Sequence, residues 1–270
     1  MFRLIHIELK KILSYKTFWV IIGMYVVALG FTLFVSQLVI NKIVVEAGKS
    51  APIPIPKISL FYFPKVWHNM SYIAGYFNLF LAIVIITLVC NEFSFKTIRQ
   101  NIINGLSRAE YLLSKLYLIL ILSIAATILV FLIGLVLGLI HSSSPEISNI
   151  FHIKLQFILG YFLEVFTYLI FAFFLAFLFK KAGLTIIFLL FYTVVEQIIV
   201  WWKIPAEWVK VMPMKAFGRL VHFPSLPLPE VNGQGFKFQD YVAFLDSGIA
   251  LLYAAIMTGI VYYHLKKLDI

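Results

Sequence analysis

Six long apolar segments take up most of this 270-residue chain, and their length restricts its fold more than any other feature. The hydrocarbon core of a bilayer is about 30 Å thick, so a helix that crosses it needs about 20 predominantly apolar residues. The segments therefore predict an all-α polytopic membrane protein, with residues 1–270 forming a single transmembrane domain. The predicted spans are residues 18–40, 72–90, 116–140, 155–179, 182–202 and 247–265.

The composition agrees with this fold class. Only 13% of the residues are charged, against roughly 25% in soluble domains, and the mean hydropathy is +0.99. The first apolar segment is too long for a signal-peptide core and no small-residue cleavage site follows it, so we expect a retained helix. Six spans then place both termini on the same side of the membrane.

Lysine and arginine near the span ends favour cytoplasmic termini, because short cytoplasmic loops are enriched in basic residues. With this orientation the inner segments are short and densely basic, whereas the outer basic residues are spread over two loops of about 30 and 40 residues. The net charge of +10 fits contact with anionic lipid headgroups. We expect membrane lipids as partners and no nucleic acid, because no soluble basic domain is present to bind it.

The two predicted outer loops are rich in proline, in residues 51–56 and 223–230. Proline disfavours helix and favours a stiff, extended chain. The loops also contain many aromatic side chains, namely Phe61, Tyr62, Phe63, Trp67, Trp208 and Phe217. So much aromatic surface predicts loops that pack on the bilayer rim or on each other.

The N-terminal segment has the pattern of a helix that lies on the membrane surface. At about 100° per residue its apolar residues share one face, namely Phe2, Ile5, Leu9, Ile12 and Leu13. Its polar residues fall largely on the other face, namely Arg3, Lys10, Lys11 and Ser14. We expect an interfacial helix; the alternative is a basic flank that only fixes topology.

A compact polar segment, residues 91–115, separates the second and third predicted spans. Gly105 stands where a helix C-terminus needs a left-handed residue, and Ser107 with Glu110 matches the capping box that begins a new helix. The pattern predicts a short amphipathic helix with Phe95, Ile98 and Ile102 on its apolar stripe, followed by a helix that runs into the third span. A short helix between two spans is a suitable docking element for a partner.

This segment resembles the one between the second and third spans of type-2 ATP-binding-cassette (ABC) permeases. The resemblance rests on Glu92, Lys96-Thr97-Ile98-Arg99-Gln100, Gly105-Leu106-Ser107-Arg108, Glu110 and Lys115. The start of the chain is similar to the amphipathic start of the same family, in Ile7-Glu8-Leu9-Lys10-Lys11-Ile12-Leu13 and Thr17-Phe18-Trp19. Six spans with both termini inside also match.

The resemblance implies the permease subunit of an ABC exporter in a bacterial inner membrane, paired with a second permease subunit as a homodimer or heterodimer. Two separate ATPase subunits would bind ATP and Mg²⁺, and this chain would hold no cofactor. The short helix would be the coupling helix, with an ATPase contact formed by Lys96, Ile98, Arg99, Gln100 and Arg108. The alternative is an ordinary basic cytoplasmic loop.

We expect no ATPase activity from this chain itself. A phosphate-binding loop needs G-x-x-x-x-G-K-[ST] between a strand and a helix. The nearest candidate is Gly48-Lys49-Ser50, but Ile43 stands in place of the first glycine. The histidines lack the spacing of a zinc site, and no metal site is predicted.

Two acidic residues interrupt the predicted spans, Glu164 in the fourth and Glu196 in the fifth. A carboxylate in lipid usually faces the bundle interior or a water-filled cavity, because its burial costs several kcal/mol. The pair are candidates for a pathway for a cationic or amphipathic substrate, or for proton sites. Alternatively each is protonated or hydrogen-bonded to a neighbouring side chain and only locks helices together. Asp246, beside Ser247, is predicted to be a helix N-cap.

An ATP-independent secondary transporter that uses Glu164 and Glu196 is the alternative function. Such a transporter would often contain inverted repeats or helices broken near mid-membrane, and the sequence indicates neither. A membrane-embedded enzyme is a third class, but the chain lacks paired Asp or His motifs. The sequence leaves the substrate open.

Overall fold

The computed structural model describes residues 2–50, 60–142, 150–151, 153–202, 205, 208–209, 212–222 and 239–267, without the side chains of 2–4, 43–50, 153 and 201. These residues form helices and turns, with no strand among them. The helices are α1 (Phe2–Ser14), α2 (Lys16–Ser50), α3 (Val66–Gly75), α4 (Asn78–Ser94), α5 (Thr97–Ile103), α6 (Arg108–His141), α7 (Gln156–Phe179), α8 (Ala182–Trp201), α9 (Pro213–Gly218) and α10 (Phe244–Lys267).

Five helices are long and apolar enough to cross a membrane. They are Lys16–Lys42 of α2, Arg108–His141, Gln156–Phe179, Ala182–Val200 of α8, and Phe244–Lys267. Helices α3 and α4 pass the same test together but are bent by 43° at a short break, and they form a sixth candidate if the bent pair is one span. The all-α class with several membrane-length helices is confirmed, and the count in the described residues is five or six.

The predicted second span differs most from the structure. Instead of one helix over residues 72–90, α3 begins at Val66 and ends at Gly75, and α4 begins at Asn78. Glu164 of α7 packs so closely on Gly75 that an added Cβ would lie 2.7 Å from Glu164 Oε1. The sequence hides this break because its residues are apolar or aromatic and include no proline.

Helix α7 lies at the centre of the bundle, packed by α3, α4, α6, α8 and α10. In the most apolar 18-residue stretch of α7, 56% of the residues are buried. The corresponding share is 17% in α2 and in α8. Large aromatic side chains fill this centre, and Tyr161 and Phe173 are completely buried. By contrast α2 and α8 expose apolar faces, which suit lipid or another apolar surface.

Aromatic residues before and within α3 pack against α6, and not only on the bilayer rim or the other loop as predicted. The Trp67 ring stacks on Phe131 at 5.1 Å, and its Nε1–H donates to the carbonyl of Ile150 at 2.8 Å. Phe63 lies so close to Gly138 of α6 that an added Cβ there would lie 2.7 Å from Phe63 Cε2. Residues 51–59 and 223–238, which contain the prolines, lie outside the described residues.

The N-terminal segment forms a helix, and its buried side includes Ile12 of the predicted apolar face together with a carboxylate from outside that face, Glu8. Glu8 and Ile12 are buried where α1 packs on α6 and α2. Leu13, predicted on the buried face, is half exposed, as is Ile7. A buried carboxylate on an otherwise amphipathic helix indicates a specific polar contact within the bundle.

The prediction that Asp246 is an N-cap was wrong. Helix α10 begins at Phe244, so Asp246 lies in its first turn. The Asp246 carboxylate pairs with Arg219 Nη2 at 3.0 Å and is largely buried. The side chain therefore ties α10 to the end of α9, and its partner is a guanidinium rather than backbone N–H groups.

Candidate functional site

The hairpin that joins α4 to α6 has the geometry that its sequence predicts. Gly105 follows α5 with φ 93°. Its N–H donates to the carbonyl of Ile102 at 3.0 Å, and the N–H of Leu106 donates to the carbonyl of Asn101 at 3.1 Å. These two bonds form the glycine-containing helix end known as the Schellman motif. The predicted stop at Gly105 is therefore confirmed.

The start of α6 is fixed by the predicted capping box. Ser107 Oγ accepts from the N–H of Glu110 at 3.2 Å. In return the N–H of Ser107 donates to Glu110 Oε2 at 2.9 Å. Reciprocal bonds of this kind satisfy backbone donors that a helix start leaves open. The hairpin thus has a defined turn at each end of α5, with Lys96 left-handed at φ 56° before it.

The five residues predicted to contact an ATPase occupy different environments. Lys96, Arg99 and Gln100 are exposed. Ile98 is only 4% exposed, so its side chain packs α5 onto the rest of the chain, and a partner contact there stays a prediction. Arg108 is partly buried, and its Nη1 donates to the carbonyl of Lys266 in α10.

Two exposed apolar side chains flank the exposed polar ones. Phe95 is 68% exposed and Ile103 is 71% exposed. The sequence placed Phe95 on the same stripe as Ile98, but Phe95 precedes the left-handed Lys96, so the helical period does not continue through it. The tip of the hairpin therefore presents a mixed basic and apolar surface.

A buried charge network lies at the base of the hairpin. Lys115 Nζ, on α6, is 2.7 and 2.8 Å from the two carboxylate oxygens of Glu8 on α1. It is also 2.6 Å from Glu92 Oε1 on α4. Lys115 and Glu92 side chains are each 2% exposed. The network therefore joins both arms of the hairpin to the N-terminal helix.

Three further contacts complete this network. Lys11 Nζ contacts Glu92 Oε1, and the hydroxyl of Tyr111 donates to Glu92 Oε2 at 2.6 Å. Ser114 Oγ donates to Glu8 Oε1 at 3.3 Å. Two carboxylates thus face two ammonium groups, which offsets the desolvation of each buried charge. The sequence contained all four charged residues in the resembling segments but gave no sign of their pairing.

Glu196 of α8 anchors the start of α9. Its Oε1 accepts from the N–H of Lys215 at 2.7 Å, and its Oε2 accepts from the N–H of Met214 at 3.2 Å. The carboxylate thus satisfies N–H groups that open the first turn of a helix. Of the alternatives for Glu196, this geometry favours a helix-locking role, with backbone groups as partners.

Glu164 of α7 has a different environment. Its Oε1 accepts from Asn78 Nδ2 at 3.4 Å. The chain of polar contacts continues from Asn78 Oδ1 to the Tyr161 hydroxyl at 3.3 Å, and from there to the Tyr25 hydroxyl at 3.1 Å. Glu164 and Glu196 thus have separate partners among the described residues, and the structure does not join them in one site.

The model of a family described as "Protein of unknown function (DUF2705)" matches residues 54–270. The matched range includes the hairpin and both membrane carboxylates, and it leaves out α1 with Glu8. No curated protein matches the chain.

Proposed function

Because the chain belongs to the DUF2705 family of unknown function, we propose its function from its own geometry: it is the permease subunit of an ABC exporter. A second permease subunit, identical or related, would complete the pathway, and separate ATPase subunits would supply ATP hydrolysis. The membrane would be a bacterial inner membrane, with both termini in the cytoplasm.

The hairpin is the observation that carries this proposal. A short helix that docks in a cleft of another protein needs a fixed orientation and an exposed surface. The Gly105 turn and the Ser107 cap fix the orientation of α5. The exposed surface is formed by Arg99 and Gln100, beside exposed Phe95 and Ile103. Exposed aromatic and arginine side chains are typical of the centres of protein interfaces.

The charge network gives the hairpin a way to transmit force. Pressure on α5 would be carried into α4 and α6, since both arms are fixed to it by short turns. Lys115 ties these arms to α1 through Glu8 and Glu92, so the three helices would move as one unit. Closure of an ATPase pair could then rock the spans between two states, a rigid-body change of the kind used by many transporters.

A secondary transporter is the second candidate, and one observation favours it. Helices broken near mid-membrane are common in such proteins, where they line substrate and ion sites. The bend of 43° between α3 and α4, with Glu164 packed on Gly75 at the break, has this form. The two candidates differ in whether transport requires a bound ATPase.

The test is capture of an ATPase by the full chain, expressed with its genomic neighbours and purified in detergent. Arg99→Glu and Ile103→Asp change exposed residues of the hairpin and should abolish capture and ATP turnover. Lys181→Glu is the matched control, because it reverses an exposed charge outside the hairpin and should leave capture unchanged. Ile98→Asp is unsuitable, since Ile98 is buried and its loss would unfold the hairpin.

Capture of an ATPase by wild type and by Lys181→Glu, but not by the hairpin variants, supports the permease proposal. Transport by the purified chain in the absence of any ATPase contradicts it and favours the secondary transporter. Equal capture by all four proteins would reject the hairpin as the docking element.

A further inference from the structure

Glu164 differs from the other acidic residues within the bundle. Glu8, Glu92 and Asp246 each pair with a lysine or arginine, and Glu196 accepts two backbone N–H groups. No basic side chain pairs with Glu164 across the part of the chain that the structure describes. Its one hydrogen-bond donor there is the Asn78 amide, at a long 3.4 Å.

The position of Glu164 makes this lack of positive charge costly. It lies about 12 Å along α7 from Gln156, at the 1.5 Å rise per helical residue, which places it well inside a hydrocarbon core of about 30 Å. A carboxylate at this depth costs several kcal/mol unless it is neutralised or faces a polar cavity. A cation bound there would remove most of that cost.

The α3–α4 break lies directly beside the carboxylate. Gly75, which has no side chain, lets Glu164 approach the backbone at the break. The regular hydrogen bonds of the α-helix, which span four residues, are interrupted there. The N–H of Tyr76 donates to the carbonyl of Ile73, and the N–H of Phe77 donates to the carbonyl of Ala74, so each bond spans three residues. Broken helices of this kind form substrate and ion sites in other membrane proteins.

Aromatic rings accompany the carboxylate. Tyr72 of α3 and Tyr76, the residue after α3 ends, share a hydrogen bond of 2.6 Å between their hydroxyls, and their rings meet edge to face at 5.3 Å. Tyr76 adjoins Gly75, on which Glu164 packs, and Tyr168 lies four residues after Glu164 in α7, which places Tyr168 and Glu164 on the same side of that helix. Aromatic faces with a carboxylate are the groups that bind organic ammonium ions, through cation–π attraction and direct charge pairing.

Glu164 is intermediate in exposure at the side of the bundle, and it is not sealed in the core as Tyr161 is. We propose that Glu164, with the tyrosines at the α3–α4 break, binds the positively charged group of an amphipathic cargo, an inference that rests on the proposed permease function. The apolar body of the cargo would lie along the membrane-facing surface beside the break.

The experiment measures saturable binding of tritiated tetraphenylphosphonium, a lipophilic cation, to the full chain in lipid nanodiscs without ATPase. Glu164→Gln should weaken binding at least tenfold, because it removes the charge and keeps the shape. Asp240→Asn is the control, because it removes the charge of an exposed carboxylate, and it should bind like wild type. Equal binding by wild type and Glu164→Gln would overturn the proposal.

Two further measurements separate a binding defect from misfolding and a cargo site from a proton site. If Glu164→Gln does not fold, Glu164→Asp should retain binding and Glu164→Asn should lose it; the reverse order overturns the proposal. Dicyclohexylcarbodiimide modifies protonated carboxyl groups in membranes, and saturating cation should slow its reaction at Glu164. An unchanged rate would leave Glu164 as a proton site only and would also overturn the proposal.

Both proposals can fail separately, since the binding assay contains no ATPase. Cation binding at Glu164 by a chain that captures no ATPase would reject the permease proposal and keep the site. Capture of an ATPase by a chain that binds no cation would do the opposite.

Discussion

The ammonium group of Lys115 lies 2.6 Å from the carboxylate of Glu92, and both side chains are 2% exposed. Glu8 adds a second carboxylate to the same lysine, at 2.7 Å. A buried ion pair contributes little net stability, because desolvation offsets the attraction between the charges. Removal of one partner, however, leaves an uncompensated charge in the interior, and this makes the network sensitive to single substitutions.

Lys115→Met should destabilise the protein by about 3–5 kcal/mol, the usual cost of breaking a buried pair from one side. Of the two ammonium groups in the network, Lys11 would remain, and it pairs with Glu92 and not with Glu8. The measurement is the thermal unfolding midpoint of the detergent-purified protein, with the folded fraction at each temperature read from size-exclusion chromatography.

Lys154→Met is the control for that change. Lys154 pairs with Asp240 at 3.6 Å, and the Asp240 side chain is 83% exposed. Exposed pairs contribute about 0–1 kcal/mol, so the midpoint should hardly move. Similar midpoint shifts for the two variants would show that breaking the network at the base of the hairpin destabilises the protein no more than breaking the Lys154–Asp240 pair.

Gly105→Ala should distort the end of α5. At φ 93° a side chain is strained, and a left-handed residue other than glycine costs roughly 1–2 kcal/mol. We expect faster proteolysis of the hairpin and weaker capture of the ATPase. Gly183→Ala is the control, because nothing lies within 4 Å of its Cβ position. Unchanged proteolysis of the Gly105 variant would contradict the role of this turn.

The hairpin was the part of the fold that the sequence predicted best, and the reason is local. The Gly105 stop and the Ser107–Glu110 cap depend on residues within five positions of each other. The environment of Ile98 and Phe95 was harder to predict, because a seven-residue helix has too few turns for a periodic stripe to fix its orientation. The left-handed Lys96 also shifts the register before that helix.

The charge network and the broken span depend on contacts that are distant in sequence. Glu8 and Lys115 belong to different helices, and no periodic pattern indicates that they pair. The break after Gly75 lies in an apolar stretch without proline, and it coincides with a contact from Glu164 on α7. Apolar segments indicate the helical class and the approximate place of most long helices, whereas pairings of this kind require their three-dimensional packing.

Gly138→Ala should destabilise the bundle by about 1–3 kcal/mol, the usual cost of overpacking. An added methyl group would overlap the ring of Phe63, which is itself buried. Gly23→Ala is the control, since nothing lies within 4 Å of its Cβ position. Thermal midpoints of the two variants should differ clearly, with Gly23→Ala near wild type. Equal midpoints would show that Phe63 moves aside freely.

Glu196→Ala should release the first turn of α9. The N–H groups of Met214 and Lys215 would lose their acceptor, and a lost bond to a charged group costs about 1.5–3 kcal/mol. Because about 1.4 kcal/mol is a factor of ten, these two amides should exchange with deuterium at least tenfold faster.

Glu164→Gln is the control for this exchange measurement. Glu164 accepts from the Asn78 side chain and not from α9, so exchange at Met214 and Lys215 should stay at the wild-type rate. If Met214 and Lys215 exchange at the wild-type rate in Glu196→Ala, α9 is held by its packing on α7 and α10 and not by the carboxylate. Glu196 would then lose its helix-locking role, and the alternative of a substrate or proton site at Glu196 itself would gain support.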